Sequence, residues 1–139
     1  WIPRMWWTGR AIRKIRAGQT VVPKYGSTIS EMSANKLYDW FEEYAEECGW
    51  REVETYDELQ EGANQGEVGI IVAAHRISSR SGHITAVVPE TSSHKAQRDG
   101  SGRVTAPLQS QAGRVNRKYF SSNWEKGNSY RGYSYWLHA

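Results

Sequence analysis

The sequence predicts an α+β fold, with helices in the first half and an antiparallel sheet of about four to five strands behind them. Two observations carry this. Between residues 34 and 48, Leu37, Phe41, Tyr44, Ala45 and Cys48 recur at helical spacing. After Gly66 the texture changes: residues 68–74 and 83–88 are continuous apolar runs of strand length, parted by a polar stretch at 76–81. With 139 residues the chain has the length of one domain, read here as 1–139, able to bury a single core.

In chain order, residues 8–17 read as a short basic helix, with Ala11, Ile12 and Ile15 on one side and Gly18 as its stop. Residues 19–30 contain Pro23, Gly26 and Ser27 and read as an irregular connection. Ser33 is placed to cap a helix over 34–48, which Gly49 ends. Thr55 and Glu58 fit a capping box for a second helix, Tyr56–Asn64. Runs 68–74 and 83–88 pair as an antiparallel hairpin through 76–82. Residues 91–102 are a polar loop, 103–108 a third strand, 121–132 a loop rich in Ser, Asn and Gly, and 133–138 a fourth strand.

Composition narrows the function classes. A hydrophobic share of 38% beside 24% charged residues suits a globular protein, and no apolar run is long enough to cross a bilayer. The chain opens on Trp1-Ile2-Pro3-Arg4 with no apolar signal region, so any export signal is expected to have been removed or never encoded. Cys48 is the single cysteine, which leaves no internal disulfide and no multi-cysteine metal site. His75, His94 and His138 show no zinc spacing, so neither metal nor cofactor is expected. Basic residues gather at Arg10, Arg13, Lys14 and Arg16 and at Arg114, Arg117 and Lys118. Such a surface suits a polyanion, but no nucleic-acid motif accompanies it, and nucleic acid ranks last among partners. Glu42, Glu43, Glu46 and Glu47 form an acidic face read as solvated surface.

His83 is the residue singled out for chemistry. Ser81-Gly82-His83 sets an imidazole at the first position of a buried strand, after a glycine that permits close approach. An imidazole can take a proton from a nucleophile and return it to a leaving amine. The residues alone leave a second reading open, a histidine that merely hydrogen-bonds within a loop. Among the aromatic residues, Trp6, Trp7, Trp124 and Tyr130 are candidates to grip sugar rings or peptide stems, while Trp40 and Trp136 are assigned to packing.

Gly66-Glu67-Val68-Gly69-Ile70-Ile71-Val72 and Ser81-Gly82-His83-Ile84-Thr85-Ala86-Val87-Val88 resemble the core of the NlpC and CHAP families, papain-like peptidoglycan amidases and endopeptidases. Residues 35–113 also resemble the order of elements in type VI secretion amidase effectors. The resemblance implies a papain-like fold with His83 as general base. It implies that Gln109 orients the imidazole and that Gln111, two positions on, lies near the oxyanion; from the residues alone both glutamines could equally satisfy loop backbone groups. It also implies peptidoglycan peptide stems as substrate, secretion or delivery to the bacterial periplasm or cell wall, and an immunity or inhibitor protein as a further partner.

The family's nucleophile is a cysteine at a helix start. Cys48 stands at the end of the predicted helix, where the dipole disfavours a thiolate, so it reads as a small buried hydrophobe. The expected nucleophile therefore lies upstream of Trp1 or on a second polypeptide. The competing expectation is a catalytically silent module that binds cell wall, another glycan or a protein partner.

Overall fold

The computed structural model describes residues 5–111 and 116–139. Trp1-Ile2-Pro3-Arg4, Gly113 and Arg114, invoked above, lie outside the described residues. Thr8 accepts from the Ala11 N–H at 3.2 Å and opens α1 (Gly9–Arg16). Around it, β1 (Met5–Trp7) pairs antiparallel with β2 (Ile29–Glu31), so the connection read as irregular closes on a strand. Ser33 caps α2 (Ala34–Tyr44) by accepting from Lys36 N–H at 3.3 Å.

The helix expected to reach Cys48 ends at Tyr44. The chain tightens into a 3-10 turn, Glu46–Cys48, and reverses at Gly49, φ 92°. Glu46 and Glu47 would face the negative end of a continued helix, which favours stopping there. The reversal leads straight into β3 (Trp50–Val53), a strand not foreseen. α3 (Tyr56–Asn64) has the predicted bounds, with Glu58 N–H donating to Thr55 Oγ1 at 3.2 Å and the Thr55 hydroxyl to Glu58 Oε1 at 3.0 Å.

β4 (Val68–His75) and β5 (His83–Val87) form the predicted antiparallel hairpin. The expected strand over 103–108 is divided by Pro107, which has no N–H to give a ladder. Its first part, β7 (Val104–Ala106), pairs with β6 (Gln97–Arg98) in a small ribbon, and its second, β8 (Leu108–Gln111), joins the main sheet. β9 (Arg117–Ser121) is also unforeseen, and β10 (Tyr130–His138) starts three residues before the expected strand. The main sheet therefore has six strands, not four to five, all antiparallel in the order β3-β10-β4-β5-β8-β9.

Successive side chains on these strands fall on opposite faces, and both faces are buried. Ile70, Val72, Trp136 and Ile84 pack with α2, Trp6 and Phe41. Ile71, Tyr135, Leu137 and Val87 pack with Tyr56 and Leu59 of α3. Each fully buried side chain of this size contributes roughly 1.5–3 kcal/mol of hydrophobic stabilisation.

Two consequences can be measured. A Cβ on Gly82 would overlap the Ala73 carbonyl oxygen and Asn35 Oδ1, where the start of β5 meets β4 and the first turn of α2. Gly82→Ala is expected to cost about 1–3 kcal/mol in urea unfolding, the range for overpacking against rigid neighbours. The second concerns Glu90, which accepts two bonds from Arg98 at 2.7 Å, one from Asn64 at 3.0 Å and one from Ala96 N–H at 2.9 Å. Arg98, then the amide donors, hold its carboxyl down at about 2 despite an opposing desolvation. A lowered folded-state value stabilises above the ordinary 4.5 and loses that contribution as pH falls from there toward about 2. The urea midpoint is expected to fall over that window, with a shallower fall in Glu90→Gln.

Candidate functional site

The site grows from the β4–β5 hairpin. Ala73 lies opposite His83 in register, and directly opposed residues share a face, so His83 projects with Ile71, Thr85 and Val87. Gln109 lies opposite Val87 and Gln111 two residues further on, so both glutamines project to the same face as His83. The predicted pair is thus brought to the histidine, but with separate tasks. His83 Nε2 donates to Gln111 Oε1 at 2.8 Å. An amide oxygen can only accept, so this bond sets the proton on Nε2 and leaves Nδ1 with the lone pair that can take a proton.

Gln109 lies beneath, fully buried, and uses its whole hydrogen-bonding capacity. Its Oε1 accepts from Thr85 Oγ1 at 2.7 Å and from Trp124 Nε1 at 2.8 Å. Its Nε2 donates to Pro107 O at 3.0 Å and Ser122 O at 2.8 Å. It holds Trp124, and Trp124 in turn packs edge-to-face on His83, with ring centroids 4.7 Å apart. Tyr130 follows at 5.2 Å from Trp124, and His75 at 6.2 Å from Tyr130. His83, Trp124 and Tyr130, three residues singled out in the sequence, therefore form one half-exposed row of rings. His75 was missed as a member. Its Nδ1 accepts from Ile77 N–H at 3.0 Å, which puts the proton on Nε2.

No family model, curated protein or solved structure matches this chain. The likeness to NlpC and CHAP proteins therefore rests on the residues quoted for it.

Trp6 and Trp7, expected beside the substrate, belong to the other face. Trp6 is buried among Trp40 at 5.0 Å, Phe41 at 5.2 Å and Trp50 at 6.1 Å, and the Trp7 carbonyl accepts from Trp40 Nε1 at 2.8 Å. Core packing claims them because β1, paired with β2, lies against Trp40 and Phe41 of α2. Cys48 lies on that face too, packed against the same cluster, and burial followed by the Glu47 carboxylate pushes its thiol up. In the first turn of α2, Asn35 accepts from His75 N–H at 2.8 Å and donates to Arg80 O at 2.8 Å, beside Gly82. Among the described residues no three His, Cys, Asp or Glu side chains converge as a metal site.

A third component stands behind Trp124. Glu125, in the 3-10 turn Trp124–Lys126, is buried, and its Oε2 accepts from Tyr135 Oη at 2.6 Å and from Tyr56 Oη. Burial, then the bond to Glu125, pushes both phenols well above the ordinary tyrosine range.

These contacts separate the two glutamines experimentally. Gln109→Leu leaves the Thr85 hydroxyl, the Trp124 indole and two carbonyls without their amide, and is expected to cost about 2–4 kcal/mol in urea unfolding. Gln111→Ala is expected to cost under about 1 kcal/mol, yet to release the His83 tautomer. Imidazole 15N spectra of the neutral ring would show Nε2–H alone in the parent and a mixture in the variant.

Proposed function

We propose that this chain is the histidine-bearing part of a papain-like thiol hydrolase that cleaves amide bonds in peptidoglycan peptide stems. The observation that carries the reading is the 2.8 Å bond from His83 Nε2 to Gln111 Oε1, which leaves Nδ1 as the proton acceptor on a ring steadied by Trp124. In the reaction, Nδ1 takes the proton of an incoming thiol and the sulfur attacks the amide carbonyl. The tetrahedral intermediate expels the amine, which receives that proton from the imidazolium. Water, deprotonated by the same nitrogen, then releases the acid from the thioester.

Cys48 is not that thiol, since it lies on the opposite face of the sheet with its pKa raised. The nucleophile comes from a segment or chain other than these residues. Gln111 takes the orienting role that the resemblance suggested for Gln109, and Gln109 becomes the support beneath it. The site of action is the cell wall, reached by secretion or delivery into the periplasm, where an immunity or inhibitor protein would guard the producer.

The row of rings from His83 to His75 favours a second reading, a silent module that grips murein without cutting it. One experiment separates the two. Intact-mass analysis of native material asks whether a cysteine-bearing polypeptide accompanies the chain, and the purified complex is incubated with murein sacculi. Peptide release that is abolished by iodoacetamide and by His83→Ala supports the hydrolase. Retention on sacculi with no release, from material in which no second thiol is found, supports the binding module instead.

A further inference from the structure

The first thirty residues contain six Lys and Arg and no Asp or Glu. Five of those cations, Arg10, Arg13, Lys14, Arg16 and Lys24, lie on α1 and on the loop 17–28 that leads to β2, and all five are exposed. The acidic face of α2 reaches one end of this group, where Glu47 pairs with Arg16 and Tyr44 Oη accepts from Arg13 at 3.2 Å. Arg10, Lys14 and Lys24 make no salt bridge among the described residues. Arg10 and Lys14, four positions apart and so on one side of the helix, flank a notch of about 290 Å³ closed by Thr8, Ser27 and Thr28. No carboxylate lines it among the described residues.

Val22 and Tyr25, at 71% and 68%, are the two most exposed large apolar side chains among the described residues. The loop that carries them is fixed by hydrogen bonds. The Thr28 hydroxyl donates to Val22 O at 2.6 Å and accepts from Lys24 N–H at 2.7 Å. Gly26, at φ 81°, reverses the chain and donates its N–H to Ile29 O at 2.8 Å. Thr8 N–H donates to Thr28 O at 2.9 Å and ties the loop to the start of α1. The apolar tip and the basic notch are therefore held side by side, with Tyr25 next in sequence to Gly26 of the notch wall.

We infer that α1 and the loop 17–28 form a docking surface for a bilayer of anionic phospholipid. Head-group phosphates meet Arg10, Lys14 and Lys24, and the side chains of Val22 and Tyr25 enter the interfacial layer. Cations alone would serve any polyanion, and two exposed apolar side chains alone would be ordinary surface. Side by side they match a lipid interface, where phosphates overlie apolar carbon. Ile12 of α1 packs into the cluster on the α2 face of the sheet, so a bilayer held here lies on the side opposite His83 and leaves the row of rings clear. The inference does not rest on the hydrolase reading.

The test is co-sedimentation of the native protein with vesicles of phosphatidylcholine alone and of phosphatidylcholine with about one-third phosphatidylglycerol. Binding is expected with the anionic vesicles and not with the neutral ones. Each basic residue near such a surface contributes about five-fold in affinity, so Arg10→Gln with Lys14→Gln is expected to weaken binding about 25-fold. Val22→Ser with Tyr25→Ser keeps every charge and is expected to weaken it about five-fold. In the parent protein, spin-labelled lipid is expected to broaden the Val22 methyl and Tyr25 ring resonances while Tyr133, exposed on the His83 face, stays sharp. Absence of binding, equal binding to both vesicle types, or a charge variant that binds like the parent overturns the docking surface. Undiminished binding by the Val22 and Tyr25 variant, displaced by soluble polyphosphate, assigns the cations to a soluble polyanion and overturns it as well.

Discussion

β4 and β10 are buried on both faces, and their period of two decides what each side of the molecule can do. Even-numbered residues of β4 face α2 and the tryptophans around Trp6, while Ile71 and Ala73 lead across to His83. Because the register of β5 on β4 is fixed by burial on two sides, a slip of one residue would put His83 under α2 and Ile84 into the site. The position of the imidazole is therefore specified by the whole sheet and not by its own loop. Gly82 belongs to the same constraint, since the absence of its side chain is what admits the β4 backbone and Asn35.

On the His83 face the support is polar, and it holds because it is complete. The Gln109 amide is shared by a strand hydroxyl, an indole and two carbonyls, with no capacity left over. In a buried setting such a network stabilises one arrangement, and each missing partner costs about 1–3 kcal/mol of desolvation. Gln111, two residues along at the half-exposed end of β8, is the one that meets the imidazole. A spacing of two on one strand thus yields one buried support and one accessible partner.

The elements legible in the sequence were those whose signal is local. α3 showed its capping residues, and β4 and β5 showed as apolar runs, so the hairpin and the place of His83 could be read directly. β3 and β9 were not legible, because Trp50–Val53 and Arg117–Ser121 lack alternation of their own and become strands by pairing with β10 and β8. Trp6 and Trp124 look alike in sequence. Trp6 sits on a strand that pairs with β2 and is buried in the core, while Trp124 donates to Gln109 and packs on His83. His75 went unnoticed because its link to the site runs through Tyr130, 55 residues away along the chain.

Glu125 joins the two ends of this face. A carboxylate with almost no exposure is costly to bury, and here two phenols from different elements, Tyr56 of α3 and Tyr135 of β10, offset part of that cost. The geometry gives the arrangement a use. Trp124 precedes Glu125 and covers the imidazole, while Lys126 follows it and lies over the Tyr56 ring. A short 3-10 turn has few backbone bonds to fix it. Anchoring its middle residue to two core tyrosines holds the indole on one side and the ammonium on the other in a constant relation. The distance between the His83 end and the tyrosine pair is then set by the buried sheet.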